Sequence, residues 1–341
     1  MKVAVSGLNN TDNPAPGIPV IKSIRDRHQI VGLSYDPNEP GNYMAMCKSV
    51  YLMPYPSLGF EELKSRLLYI KKIDGIDAII PNLDAELPLY IKYQEEIEKM
   101  GIKLCLPSLE NFELRNKNKL DPLAKELNMT YPKTYEISSE RELREIIADK
   151  DSKFPLMIKG NYYKAYMSHN IESAIDNFYK ISNEWGFPVL VQEVVTGEEL
   201  NLVGVGDGDG NLSGAVAIKK LTTTDIGKIW TGVTIHNDKL MQIAKDFVAH
   251  TKWRGPFELE CIVNMNDLFM IEINPRFPAW VYFATEIGVN LPQMVVDIMK
   301  GKEVKSVTTY PQNKMYIRYT DELVTDFSDF MKLISTKELQ I

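Results

Sequence analysis

The sequence is poor in the residues that mark structural metal sites, disulfide frameworks and nucleophilic hydrolases. Only three cysteines occur in 341 residues, Cys47, Cys105 and Cys261, and none sits in a C-x-x-C pair. That spacing excludes a zinc ribbon and a disulfide framework and fits a reducing compartment. The four histidines, His28, His169, His236 and His250, show no ligand spacing, and no serine stands in a G-x-S-x-G elbow. Zinc and serine-hydrolase chemistry therefore have no support. Positive charge is not in excess: Lys plus Arg is 39 against 46 Asp plus Glu, a net charge of -7, so the clustered field of a nucleic-acid binder is missing. No apolar run is long enough for a signal peptide or a membrane span, and Met1-Lys2-Val3-Ala4-Val5-Ser6-Gly7 runs directly into a strand. A cytoplasmic chain without nucleic-acid or membrane partners is the expectation.

What is present is an alternation of strands and helices. Lys2 to Ser6, Ile30 to Ser34 and Ala78 to Pro81 are short apolar runs that end in polar turns, with helical patterns at Val20 to Arg27 and Phe60 to Ile73 between them. This alternation predicts a parallel sheet closing near Pro107. A charged helical segment, Leu109 to Asn128, opens a second α/β unit with apolar strands at Phe154 to Lys159 and Val189 to Val195. Longer strands follow at Asn201 to Val205, Gly214 to Ile218, Phe257 to Val263 and Phe269 to Ile273, with helices at Asp238 to Thr251 and Leu291 to Met299. Tyr316 to Ile341 reads as one strand and a terminal helix. There is no internal repeat and no long linker.

The glycine cluster Gly204 to Gly214 imitates two binding loops and satisfies neither. No start position gives G-x-G-x-x-G. In the calcium-loop register through Asp207, Asp209 and Asn211, the required glycine is Leu212 and the bidentate acid is Ile218. A hairpin turn is the better reading.

Glu258 to Arg276 is more informative, because acids interrupt an otherwise apolar pair of strands. If these strands form a hairpin through Asn264 to Asp267, Glu260 and Glu272 lie side by side, and adjacent carboxylates must protonate, find cations or bind a metal. Asn274, two residues beyond Glu272, adds an oxygen on the same face and favours magnesium. Solvated acids on a strand face are the alternative. Arg276 is placed to meet phosphate or a developing oxyanion. The strand Val189 to Val195 ends in Thr196-Gly197-Glu198-Glu199, and Lys159 ends the strand before it. Taken singly, these have bland readings as a solvated turn and a solvated lysine. Asn9, Thr11 and Asn13, with Asp84 and Glu86, follow strands of the first sheet and offer polar loops to a small substrate. Arg276-Phe277-Pro278-Ala279-Trp280 sets aromatic bulk beside the arginine, which points to a partly apolar substrate there.

In this order the pieces resemble the ATP-grasp superfamily, particularly its branch of the carbamoyl-phosphate synthase large subunit and the carboxylate-amine ligases, over about Lys119 to Leu291. The resemblance implies an α/β and α+β chain: a Rossmann-like pre-ATP-grasp domain at residues 1–107, a two-subdomain ATP-grasp fold at 108–192 and 193–310, and a C-terminal strand and helix at 311–341. It makes Lys119 and Lys159 the nucleotide lysines, Glu193, Val194 and Val195 the adenine hinge, and Glu199 the ribose acid in the pattern E-x-x-x-G-x-E. Glu260, Glu272 and Asn274 become the magnesium ligands, and Arg276 the catalytic arginine of E-x-N-P-R, acting with Lys159. The lid departs from the family pattern. Gly160 leads into Asn161-Tyr162-Tyr163-Lys164-Ala165-Tyr166-Met167-Ser168 instead of further glycines, so Lys164 or Ser168 is expected to replace backbone contacts to phosphate.

The implied function is ligation: ATP phosphorylates a small-molecule or peptide carboxylate, and an amine attacks the acyl phosphate with release of ADP and phosphate. The implied cofactors are ATP and magnesium, two ions, with manganese as a substitute, and a homodimer is left open. Two alternatives stand beside it: an ATP-binding sensor or scaffold without ligase activity, and a peptide-modifying enzyme acting on side-chain carboxylates.

Overall fold

The computed structural model describes residues 1–149, 153–160, 164–224 and 227–341. The N-terminal part runs β1 (Lys2–Ser6), α1 (Gly17–Ile24), β2 (Gln29–Ser34), β3 (Ser49–Leu52), α2 (Phe60–Asp74), β4 (Ala78–Ile80), α3 (Leu87–Lys92) and α4 (Gln94–Lys99). Next come α5 (Leu109–Glu113), α6 (Lys117–Glu126), β5 (Thr134–Ile137), α7 (Glu140–Ala148), β6 (Leu156–Lys159), β7 (Ala165–Ser168), α8 (Ile171–Trp185) and β8 (Val189–Glu193). The rest is β9 (Glu198–Asp207), β10 (Leu212–Thr223), β11 (Ile229–Thr234), α9 (Asp238–Thr251), β12 (Arg254–Asn264), β13 (Asp267–Asn274), α10 (Val281–Glu286), α11 (Leu291–Met299), β14 (Met315–Ile317), α12 (Phe327–Thr336) and β15 (Glu338–Gln340). Among the described residues no helix is long and apolar enough to cross a membrane.

The chain divides into two compact units. The first gathers Met1–Phe112, Asn201–Leu259 and Asn274–Ile341, and the second Glu113–Leu200 and Glu260–Ile273. Segments expected as separate domains at 1–107 and 193–310 therefore contribute largely to one unit. Its main core joins Val3 and Ile21 to Val203, Val216, Val295 and Leu339.

The first unit holds a five-stranded sheet of order β15-β3-β2-β1-β4. Strands β1 to β4 pair in parallel, as the strand-helix alternation predicted, while β15 lies antiparallel on β3 with Leu339 opposite Val50. Helix α1 begins at Gly17, earlier than the apolar period at Val20 suggested. A Cβ on Gly17 would lie 2.1 Å from the Ser6 carbonyl oxygen, so only glycine lets the helix start this close to the end of β1.

The six-stranded sheet has the order β13-β12-β9-β10-β11-β14. Strands β12 and β13 are consecutive and joined at Met265-Asn266, with Met265 in the left-handed region at φ 52°. Between β9 and β10, Asp207 Oδ1 accepts from the backbone N–H groups of Asp209 at 2.7 Å and Asn211 at 3.0 Å. These acids build a turn, as the failed calcium pattern indicated.

The second unit contains a four-stranded sheet of order β5-β8-β6-β7, antiparallel throughout. Ile158 and Val191 from the strands, Leu143 from α7, and Phe178 and Ile181 from α8 share its core. The single charged helix expected from Leu109 to Asn128 is broken: Asn116 is extended at φ -63° and ψ 130°, so Lys117 becomes the first residue of α6.

Candidate functional site

In the second unit, β6 and β8 fix which residues share a face. Lys159 pairs with Leu190 and Met157 with Gln192, so all four point to the side opposite Ile158 and Val191, which are in the helix-covered core. The Lys159 ammonium donates to Gln192 Oε1 at 2.6 Å, and Gln192 Nε2 donates to Thr134 Oγ1 at 2.7 Å. Burial pushes the Lys159 ammonium down to about 8, the Lys117 charge adds to the effect, and Glu272 and Glu260 oppose it. Lys117 donates to the Gly160 carbonyl at 2.9 Å. Burial lowers its pKa too, against the raising effect of Glu272. Glu272 thus acts on both lysines, and Glu260 on Lys159.

Lys119 does not join them. Its ammonium meets Glu113 at 2.8 Å, and its side chain is 42% exposed. The reason is the helix break: with α6 starting at Lys117, residues two apart on a helix project on nearly opposite sides. Lys117, not Lys119, is the lysine of α6 that lies under the influence of Glu272.

Glu260 on β12 and Glu272 on β13 are half-buried, and Asn274 ends β13 in a buried position. Among the described residues no group of three or more His, Cys, Asp or Glu side chains could hold a metal ion. The expected donor set is smaller than that, two carboxylates and one carboxamide oxygen. Such a set fits magnesium, which is usually held by one or two carboxylates plus substrate phosphates and keeps waters on its remaining positions.

In the first unit, Glu258 is the residue that the motif order missed. It is 4% exposed. Its Oε1 accepts from Asn201 Nδ2 at 2.7 Å and Trp280 Nε1 at 2.9 Å, and its Oε2 accepts from Asn274 Nδ2 at 3.1 Å. Glu258 therefore fixes which way the Asn274 carboxamide faces. Trp280 and Phe277 are buried in the core, so the aromatic bulk expected beside an acyl site is packing and an anchor for Glu258.

Arg276 donates through Nε to Asp84 Oδ2 at 3.1 Å, and through Nη2 to Asn274 Oδ1 at 3.4 Å. Asp84 thus faces the arginine. Glu86 instead turns inward, accepting from the backbone N–H groups of Asn82 and Leu83 and from the hydroxyls of Ser6 and Tyr35.

At the expected hinge, Glu193 ends β8. It is tied to Lys133 by its own N–H at 3.0 Å and by its side chain, which accepts from Lys133 N–H at 2.8 Å. Val194 and Val195 are half-buried, and Glu199, within β9, is exposed. Of the expected lid, residues 161–163 lie outside the described residues. Its remainder, Ala165–Ser168, is β7, a partner of β6. Lys164, exposed and left-handed at φ 65°, precedes it. Ser168 is fully buried and accepts from Asn177 Nδ2 at 3.0 Å, so this hydroxyl is occupied inside the unit and does not serve as a phosphate contact.

A family model described as ATP-grasp in the biosynthetic pathway with Ter operon matches residues 187–323. The chain is also 24% identical over 246 residues to the carbamoyl phosphate synthase large chain of Clostridium acetobutylicum, covering 66% of this chain and 23% of that protein. Over these segments the chain is similar to ATP-grasp proteins. It is also 29% identical over 136 residues to the 3-methyl-D-ornithine–L-lysine ligase of Methanosarcina barkeri, covering 38% of this chain and 35% of that one. Its ATP-grasp fold superposes on the crystal structure of the L-amino acid ligase from Bacillus licheniformis with a TM-score of 0.66 at 13% identity, over 88% of this chain and 74% of that one. The chain spans less than half the length of either curated relative.

Proposed function

We propose that this protein is an ADP-forming carboxylate-amine ligase. The γ-phosphoryl group of ATP passes to a substrate carboxylate, and an amine then attacks the acyl phosphate and expels phosphate. The electrostatic influence of Glu272 on Lys117 and Lys159, and of Glu260 on Lys159, carries this reading. Phosphoryl transfer is mostly positioning and charge stabilisation, and paired cations beside paired carboxylates provide both. Glu260, Glu272 and Asn274 would hold magnesium, which would neutralise phosphate charge.

The chain's own groups do the rest. Lys117 and Lys159 bind phosphate oxygens, with Lys164 at the approach to them. The backbone from Glu193 to Val195 meets the adenine edge, and Glu199 holds the ribose hydroxyls. Met157, on the Lys159 face, offers an apolar surface for the base. Arg276, steadied by Asp84, stabilises the oxyanion formed when the amine attacks. The decisive assay is ADP release against a panel of carboxylates with hydroxylamine as the amine. ATP binding without acid-dependent ADP release would favour a sensor or scaffold.

Two further results are expected. Lys117→Ala should raise the KM for ATP by about tenfold or more, through loss of a charge-assisted phosphate contact. Lys119→Ala, which breaks only a surface pair, should stay within about twofold. Steady-state kinetics on both variants would decide which lysine binds nucleotide. The second result concerns pH. The Lys159 ammonium, with its pKa near 8, is charged below that pH and neutral above it, whereas phosphate favours the charged form. Apparent ATP affinity should therefore be level below about pH 8 and fall towards tenfold per pH unit above it. Lys159→Arg, which keeps its charge, should flatten the profile in calorimetric titrations.

A further inference from the structure

The first unit carries a second charged cluster, two of whose members have no part in the chemistry above. Lys228, just before β11, donates to the Pro14 carbonyl at 2.7 Å. Arg318, just after β14, donates through Nη2 to Asn10 Oδ1 at 3.2 Å and to the Thr11 carbonyl at 2.9 Å. Both cations therefore grip the polar loop that follows β1, from segments far later in the chain. Arg276 belongs to the same group of charges: burial pushes Lys228 down to about 8, Arg276 and Arg318 lower it further, and Asp84 opposes them.

Among the described residues the balance of this cluster is uneven: Lys228 feels two cations, Arg276 and Arg318, and one acid, Asp84. The contacts of Lys228 and Arg318 with the loop are to neutral oxygens, which satisfy donors without neutralising charge. Arg318 Nε is buried and has no hydrogen-bond partner among the described residues. Like charges gathered in a partly buried place disfavour their own charged forms, and an anion among them reverses the penalty. A guanidinium fork and an ammonium together suit a carboxylate or phosphate.

We propose that Lys228 and Arg318 form, beside Arg276, a subsite for a second anionic group of the substrate. The acid activated here is then a dianion, bearing a carboxylate or phosphate in addition to the carboxyl that is phosphorylated. The identity of that activated carboxyl rests on the ligase reading; the anion subsite itself does not.

The test is direct binding to the full chain without ATP, comparing glutarate, phosphoglycolate and butyrate by calorimetric titration. Wild type should bind at least one dianion about tenfold tighter than butyrate, and the preferred dianion tells carboxylate from phosphate. Lys228→Gln and Arg318→Gln should each remove most of that preference and leave butyrate and MgADP affinities within about twofold, while Arg318→Lys should recover part of it. Unchanged MgADP affinity reports an intact fold, and Lys228→Gln carries the test alone if Arg318→Gln does not fold. Equal binding of dianions and butyrate by wild type, or an undiminished preference in both Gln variants, would overturn the subsite. Dianion binding that persists without ADP release from any acid would overturn the ligase reading and leave the subsite standing.

Discussion

Glu272→Gln should lower the rate of ADP release by at least about a hundredfold, the scale on which a single preorganised electrostatic contact acts in a transition state. The amide keeps the shape of the side chain and removes its charge. Two effects then add. The proposed magnesium set loses one of its two carboxylates, and Lys117 and Lys159 lose the acid that raises both of their pKa values. Lys159 should consequently titrate still lower than about 8, and the alkaline loss of ATP affinity should begin earlier. Lys159→Ala should produce a rate loss of similar size. Because Glu272 is half-buried and the amide keeps its shape, the thermal midpoint of Glu272→Gln should move little, which separates loss of function from loss of fold. Near-normal turnover by both variants would remove the nucleotide site from these residues.

The largest stability effect is expected at Glu258. One buried carboxylate receives Asn201, Asn274 and Trp280, so Glu258→Ala strands three buried donors at once. At about 1–3 kcal/mol for each unsatisfied group, with partial relaxation, the loss should reach roughly 3–5 kcal/mol. Denaturant titration followed by tryptophan fluorescence would measure it. A loss under about 0.5 kcal/mol, the range of ordinary surface changes, would show that the three donors find other partners. Glu258→Gln should fall between the two, since a carboxamide keeps an acceptor and presents an extra N–H. In that variant the Asn274 carboxamide loses its fixed direction, so the magnesium concentration for half-maximal turnover should rise.

These residues show which parts of the protein were legible in the sequence. Apolar periodicity located the parallel strands and placed α9 and α11 at Asp238–Thr251 and Leu291–Met299. The order of acids and lysines pointed to Lys159, Glu260 and Glu272, and both acids act on the Lys159 charge. The choice between Lys117 and Lys119 was not legible, because it depends on where α6 begins, and that is decided by the extended backbone at Asn116. The choice between Glu258 and Glu260 was harder still. Alternate residues of a strand share a face, and both stand in the same short run, Phe257-Glu258-Leu259-Glu260. What distinguishes Glu258 is a pair of donors at 57 and 22 residues' separation, Asn201 and Trp280. Local pattern does not encode such contacts, and Trp280 was accordingly expected beside the substrate. The cations Lys228 and Arg318 escaped for the same reason, since only the folded chain brings them to the loop after β1.

The antiparallel placement of β15 on β3 also has a consequence for synthesis. Strand β3 is made early, yet the partner for its outer edge is Glu338–Gln340. Translation at about 5–20 residues per second puts roughly 15–60 s between Leu52 and Glu338. Until Glu338–Gln340 is made, that edge of β3 lacks its partner, and an unpaired edge is the kind of template on which stray strands dock. Chaperone demand on this protein should therefore be set by how long that edge waits for its last strand.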